Sequence, residues 1–375
     1  MHGRGLRVAF TVCLLPCIAA PRPVAAQLAA CADSLFESLQ SAHGIPALAV
    51  AVTRGDTLLF NEAKGDAHIE FGVRVTPSTL FQLSSTTRLL TGVLAMRLAA
   101  RRVIDLDAPV TEVLHEAPPS WARLTVRHLL SGTGGLSEVS GIETGLADVL
   151  GELYAAAPAP APGARWLYSL AEYAVLQSVL ERAGGRPLEE LMRGEVFAPA
   201  GMTSARYWAT HRDVVRGAAT GYYPDSTVMP RRYVQREFDF PAHLFSAAGA
   251  AASVEDLLRF DRALRDGRLF PVELRDALWS DARLEDGRTV SYGLGWDTKT
   301  HAPGFRSAGH SGGYLTTFRT YPGSDLTVIV LANGFLEPFD PDDVATAFAA
   351  VWHPAIVGFE RPRCRLEQLR DAGFW

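Results

Sequence analysis

Lysine is almost missing from this chain. Of its 36 Lys+Arg residues only Lys64 and Lys299 are lysines, and the rest are arginine. With Ala-rich stretches throughout, that pattern points to a GC-rich coding bias. The scarcity matters chemically. A buried lysine can shed its proton and act as a base, whereas arginine stays charged at any working pH. Other absences narrow the field. A formal net charge of −5 offers no basic surface for nucleic acid or an anionic membrane. The ten histidines form no His-x-x-x-His or Cys/His cluster, so no metal site is expected. The stretch from Gly304 to Gly313 lacks phosphate-loop spacing, and no cofactor is expected. Internal repeats and long low-complexity linkers are absent. The Ala/Pro stretch from Ala155 to Gly163 reads as a loop.

The 375 residues are 48% hydrophobic and 21% charged, with a mean hydropathy of +0.06. That composition can bury a substantial core. The first residues read as an export signal. Arg4 and Arg7 precede a short apolar run from Val8 to Ala20, and Val24-Ala25-Ala26 supplies small residues for cleavage after Ala26. The run is too short to span a bilayer comfortably, and no second membrane segment follows. The expectation is therefore a signal peptide over 1–26 and one exported domain over 27–375, periplasmic or secreted. Removing the leader leaves two of the four cysteines, Cys31 and Cys364. In an oxidising compartment they form a candidate disulfide; the alternative is two separate thiols.

Hydrophobic periodicity predicts a first helix over about 29–42 and two strands, 47–52 and 57–60, around the Arg54-Gly55-Asp56 turn. The segment 85–100 is apolar nearly all round, as in a helix buried on most sides. A helix-rich middle runs from about 102 to 266. Strands are then predicted at Tyr292-Gly293-Leu294-Gly295-Trp296, at 316–321 and at 326–332, with a last helix over about 343–352. Asp340, Asp342 and Asp343 read as its solvated start. The expected fold class is α/β, an α+β sandwich: an antiparallel sheet built from both chain termini, flanked by helices, with an inserted helical lobe. The α/β lobe would take about 27–84 and 267–360, and the helical lobe about 85–266.

The chemistry concentrates at Phe81-Gln82-Leu83-Ser84-Ser85-Thr86-Thr87-Arg88. It has the form of a Ser-x-x-Lys nucleophile segment with Arg88 in place of lysine. Around it stand Ile104-Asp105-Leu106-Asp107-Ala108-Pro109-Val110, Leu124-Thr125-Val126-Arg127-His128-Leu129-Leu130-Ser131, Phe197-Ala198-Pro199-Ala200-Gly201-Met202, Ala247-Ala248-Gly249 and Gly309-His310-Ser311-Gly312-Gly313. In this order the segments resemble the serine β-lactamase and penicillin-binding protein superfamily, nearest its class C β-lactamase, D-alanyl-D-alanine peptidase and esterase branch. The resemblance covers nearly all of the mature chain.

The resemblance implies a β-lactamase/transpeptidase-like fold with Ser85 as nucleophile at the start of the buried helix, where free N–H groups stabilise negative charge. The bland alternative makes Ser85 a helix cap. Ser84 would pair with Thr87 and has no cation. Tyr168-Ser169-Leu170 resembles the family's Tyr-x-Asn, so Tyr168 would be the base or proton shuttle. Leu170 replaces an asparagine that binds the lysine and the substrate, and has no polar atom to offer. His310-Ser311-Gly312 stands where relatives carry Lys-Thr-Gly or His-x-Gly. His310 would orient Tyr168 or a substrate carboxylate, and Ser311 and Gly312 would border the substrate. The N–H groups of Ser85 and Gly313 would form the oxyanion hole. In Leu129-Leu130-Ser131-Gly132-Thr133-Gly134-Gly135-Leu136, glycines replace a histidine and a serine of the family and are expected to loosen the loop.

Two readings stay open. One is an exported serine hydrolase acting on an ester, amide or peptide, slowed by Arg88 and Leu170. The other is an inactive relative whose cleft binds a peptide, cell-wall fragment or protein partner.

Overall fold

The computed structural model describes residues 24–43, 45–138, 145–156, 161–225, 232–313, 316–334, 340–365 and 368. Residues 1–23 of the expected leader, and 157–160 of the Ala/Pro loop, lie outside them.

Seven antiparallel strands form the main sheet. β1 (Ala47–Arg54), β2 (Thr57–His68) and β3 (Val73–Arg74) come from the start of the chain. β4 (Asp297–Thr300), β5 (Arg306–Gly312), β6 (Thr316–Tyr321) and β7 (Leu326–Ala332) come from its end. The order is β4-β5-β6-β7-β1-β2-β3, and the two ends join where Val50 pairs with Val330.

Strand alternation divides the core. Leu48, Val50, Val52, Val328 and Val330 pack with helices α1 (Val24–His43) and the last helix, Pro341–Trp352. Ala49, Ala51, Ala308, Phe318 and Ile329 belong to the core on the other face, with helix α2 (Thr87–Ala100). Two-residue periodicity makes the same strands serve both layers. Cys31 on α1 is bonded to Cys364, with Cα atoms 4.7 Å apart, so a disulfide staples the two ends of the chain.

Two expectations are corrected. Tyr292 to Trp296 is a bend, not a strand. Gly295 has φ +79°, and a Cβ there would sit 2.5 Å from the Arg88 carbonyl oxygen. The segment presses on α2 too closely, and turns too sharply, to continue a ladder. The aspartates do start the last helix, with the Asp340 side chain accepting from the Asp342 N–H. However, Asp342 is buried among cations rather than solvated.

Candidate active site

Ser85 lies in a single 3-10 turn, Ser84–Thr86, that leads into α2. Ser84 takes the left-handed conformation at φ +49°, which is uncommon for a residue with a side chain. The turn is stitched to the sheet. The Thr86 hydroxyl sits 3.3 Å from the carbonyl oxygens of both His310 and Thr316, and Thr316 Oγ1 donates to the Leu83 carbonyl at 3.0 Å. A Cβ on Gly312 would lie 2.2 Å from the Leu83 oxygen, so only glycine lets β5 approach this closely. Gly313 follows, its would-be Cβ 3.7 Å from Ser84 Oγ. The N-cap positions of the turn and the helix are Leu83 and Thr86, and neither makes a side-chain capping bond. Among the described residues no backbone bond engages the N–H of Ser85 or Gly313.

Arg88 is one turn further along and 2% exposed. Its guanidinium carbon rests 3.9 Å from the ring centroid of Tyr168 and 4.0 Å from that of Tyr173. Such stacking uses the negative face of each ring. Its Nη2 donates to the Ser169 carbonyl at 3.0 Å, while its buried Nε finds no acceptor. Among the described residues no acid pairs with it. Burial works against the charge, but Tyr168, Tyr292 and Tyr173 together outweigh it and hold its pKa above the ordinary arginine value.

Tyr168 is 42% exposed, and its ring lies 5.9 Å from that of His310. His310 itself is buried. Its Nδ1 lies 2.8 Å from the Ser311 carbonyl oxygen, which can only accept, so Nδ1 carries the proton. Its Nε2, 3.1 Å from the Tyr292 hydroxyl, is then the acceptor. Burial, and after it the charge of Arg88, push the imidazole pKa down to about 3, so the ring is neutral. The sequence assigned His310 to Tyr168 or a substrate carboxylate; its hydrogen bonds go to Tyr292 and its own strand instead.

Ser311 points to the opposite face of the sheet, where its hydroxyl donates to Asp342. That direction follows from alternation: His310 pairs with Phe318 and Ser311 with Thr317. Leu170 packs against the core, and its N–H donates to Glu138 Oε1 at 3.1 Å.

The glycine-rich loop is not loose. Glu172 Oε2 accepts from the Gly134 N–H at 3.2 Å, and Oε1 accepts from the Leu136 N–H at 3.3 Å. This carboxyl is fully buried, and burial pushes its pKa up to about 8. Neither lysine reaches the site: Lys64 pairs with Glu37, and Lys299 with Asp340 and Asp342.

Sequence reasoning passed over Tyr173, Glu172 and Tyr292. Glu172 did leave a signal, as a lone acid in the apolar run from Leu170 to Val175. Tyr292 was hidden inside a segment read as a strand.

A family model described as Beta-lactamase matches residues 32–351. The esterase EstB of Burkholderia gladioli is 31% identical over 312 residues, spanning 72% of this chain and 79% of its own. Penicillin-binding protein 4* of Bacillus subtilis (strain 168) is 26% identical over 324 residues, spanning 80% and 71%. The crystal structure of a class C beta-lactamase from Rhodobacter sphaeroides superimposes with a TM-score of 0.70 at 21% identity, over 87% of this chain and 99% of that one.

Proposed function

Because the chain belongs to the beta-lactamase family, we propose that it is an exported serine hydrolase, working slowly by acyl transfer on an ester, amide or peptide. Ser85 Oγ attacks the carbonyl carbon and its proton passes to the Tyr168 oxygen. Tyr168 must enter this step as the phenolate, because a neutral phenol has no proton vacancy. The Ser85 and Gly313 N–H groups hold the oxyanion. The leaving group departs with a proton, and water then releases the acyl group from Ser85.

One observation carries this reading. A permanent cation, with no acid to neutralise it, lies 3.9 Å over the Tyr168 ring and one helical turn from Ser85. Charge placed there sets a positive potential where negative charge develops as the Ser85 oxygen attacks, without moving a proton itself. Slow turnover follows from what Arg88 and Leu170 cannot do. General-base assistance contributes about 10²–10⁴-fold, and an arginine supplies none of it. Export is supported by the disulfide between Cys31 and Cys364, a bond of oxidising compartments. The binding-only reading draws on a different observation: among the described residues no hydrogen bond joins the Ser85 hydroxyl to Tyr168.

Intact mass after incubation with a fluorophosphonate probe decides between them. A single adduct that Ser85→Ala abolishes is the expected result. Folded protein without an adduct overturns the hydrolase reading. Arg88→Lys combined with Leu170→Asn should then raise the rate of labelling.

A further inference from the structure

We infer that the cleft is shaped for acyl compounds that are uncharged around the scissile bond and carry an aromatic group, and that it discriminates against carboxylates. The inference deepens the proposed function and rests on it for the location of the cleft.

The argument starts from the cations. A carboxylate leaving water needs a donor that is charged, or at least free. Among the described residues, the two basic side chains that contact the site's tyrosines are both committed. Arg88 is shut between two rings and 2% exposed, so its N–H groups meet no ligand. His310 has one nitrogen on the Ser311 carbonyl and the other on the Tyr292 hydroxyl. Burial and Arg88 keep it neutral. The hydroxyl on this strand that could have helped, that of Ser311, is turned to Asp342.

The rings supply the second half. Trp166 is 39% exposed and Tyr168 is 42% exposed, so both present apolar area to a ligand. The Trp166 ring lies 5.9 Å from that of Tyr292, and Tyr168 meets Tyr292 edge-on at 6.5 Å. Tyr292 in turn meets His310 at 5.9 Å. Four rings thus form one continuous wall, at the separations aromatic pairs prefer. A planar apolar group gains contact on its exposed members, Trp166 and Tyr168, while a carboxylate there loses hydration and finds no charged donor in the wall. Tyr292 acquires a role here. By donating to Nε2 it ties down the one His310 nitrogen that its own strand leaves free.

The test measures binding to the Ser85→Ala protein, so it does not depend on turnover. Phenyl phenylacetate and 3-carboxyphenyl phenylacetate are titrated by tryptophan fluorescence. The neutral ester should bind at least about tenfold more tightly, the scale of an unmet charged hydrogen bond. Trp166→Ala should weaken both esters by a similar factor and leave their ratio unchanged. Tyr292→Phe frees only the unprotonated Nε2, an acceptor, and should not lower the ratio. Equal or tighter binding of the carboxylated ester overturns the inference. Absence of a fluorophosphonate adduct on the unaltered protein overturns the acyl-transfer reading separately, with the binding ratio still standing.

Discussion

Among the described residues two arginines are buried, one on each face of the same sheet, and they are held in opposite ways. Arg319 is 0% exposed and fully paired. Its Nε donates to Asp342 at 3.0 Å and its Nη1 to Ser307 at 3.1 Å, while Nη2 meets Asp297 and Asp342. Asp342 also accepts from Thr317 at 3.0 Å and pairs with Lys299 at 2.9 Å. Arg88 donates to the Ser169 carbonyl, stacks on two aromatic faces and leaves its Nε orphaned. The Arg319 cluster is saturated and fixes strands β4, β5 and β6 against the last helix. The Arg88 site holds a charge that no acid pairs among the described residues, beside Ser85. A charge that is fully matched builds scaffold, and one left unmatched is available for chemistry.

Breaking the saturated side should have the largest effect. Asp342→Ala leaves Arg319 with one acid in a dry interior and should cost about 3–5 kcal/mol in urea denaturation. Arg88→Met should behave differently. Replacing an incompletely satisfied charge with a side chain of similar volume should change stability by no more than about 1 kcal/mol. The same change should slow fluorophosphonate labelling about 100-fold, on the scale of a lost electrostatic contribution. Equal destabilisation by the two substitutions would erase the comparison.

Glu172 sharpens it with pH. Its folded-state pKa is raised to about 8 from the usual 4.5, so the fold favours the protonated carboxyl. Its contribution is complete below about pH 4.5 and is lost as pH rises through about 8. Urea midpoints across that range should fall with pH, and Glu172→Gln should flatten the slope by about 1–2 kcal/mol. Tyr173→Phe should do least. It keeps the ring under Arg88, so labelling should stay within about twofold, whereas Tyr173→Leu should approach the effect of Arg88→Met.

Much of this architecture was legible in the sequence. Strands 316–321 and 326–332 were readable to the residue, because alternating β-branched residues and a Pro-Gly turn are local signals. The terminal strands were legible too, and the order of motifs led to the family. The bend at Tyr292 to Trp296 was not, because its shape comes from pressing against α2. The loop from Gly132 to Leu136 read as loosened for a similar reason: the carboxyl that pins it arrives from a helix some 36 residues away.

By itself the sequence determined that Ser85 and Arg88 share a helix face, that an arginine rather than a lysine stands there, and that Leu170 offers that cation no polar group. Helical spacing and side-chain chemistry are properties of neighbouring residues. Tertiary structure alone decided that Tyr173 closes over Arg88, that burial and Arg88 keep His310 neutral, and that Asp342 lies buried rather than solvated. The charge and direction of a buried group depend on what packs around it, and those neighbours come from distant parts of the chain.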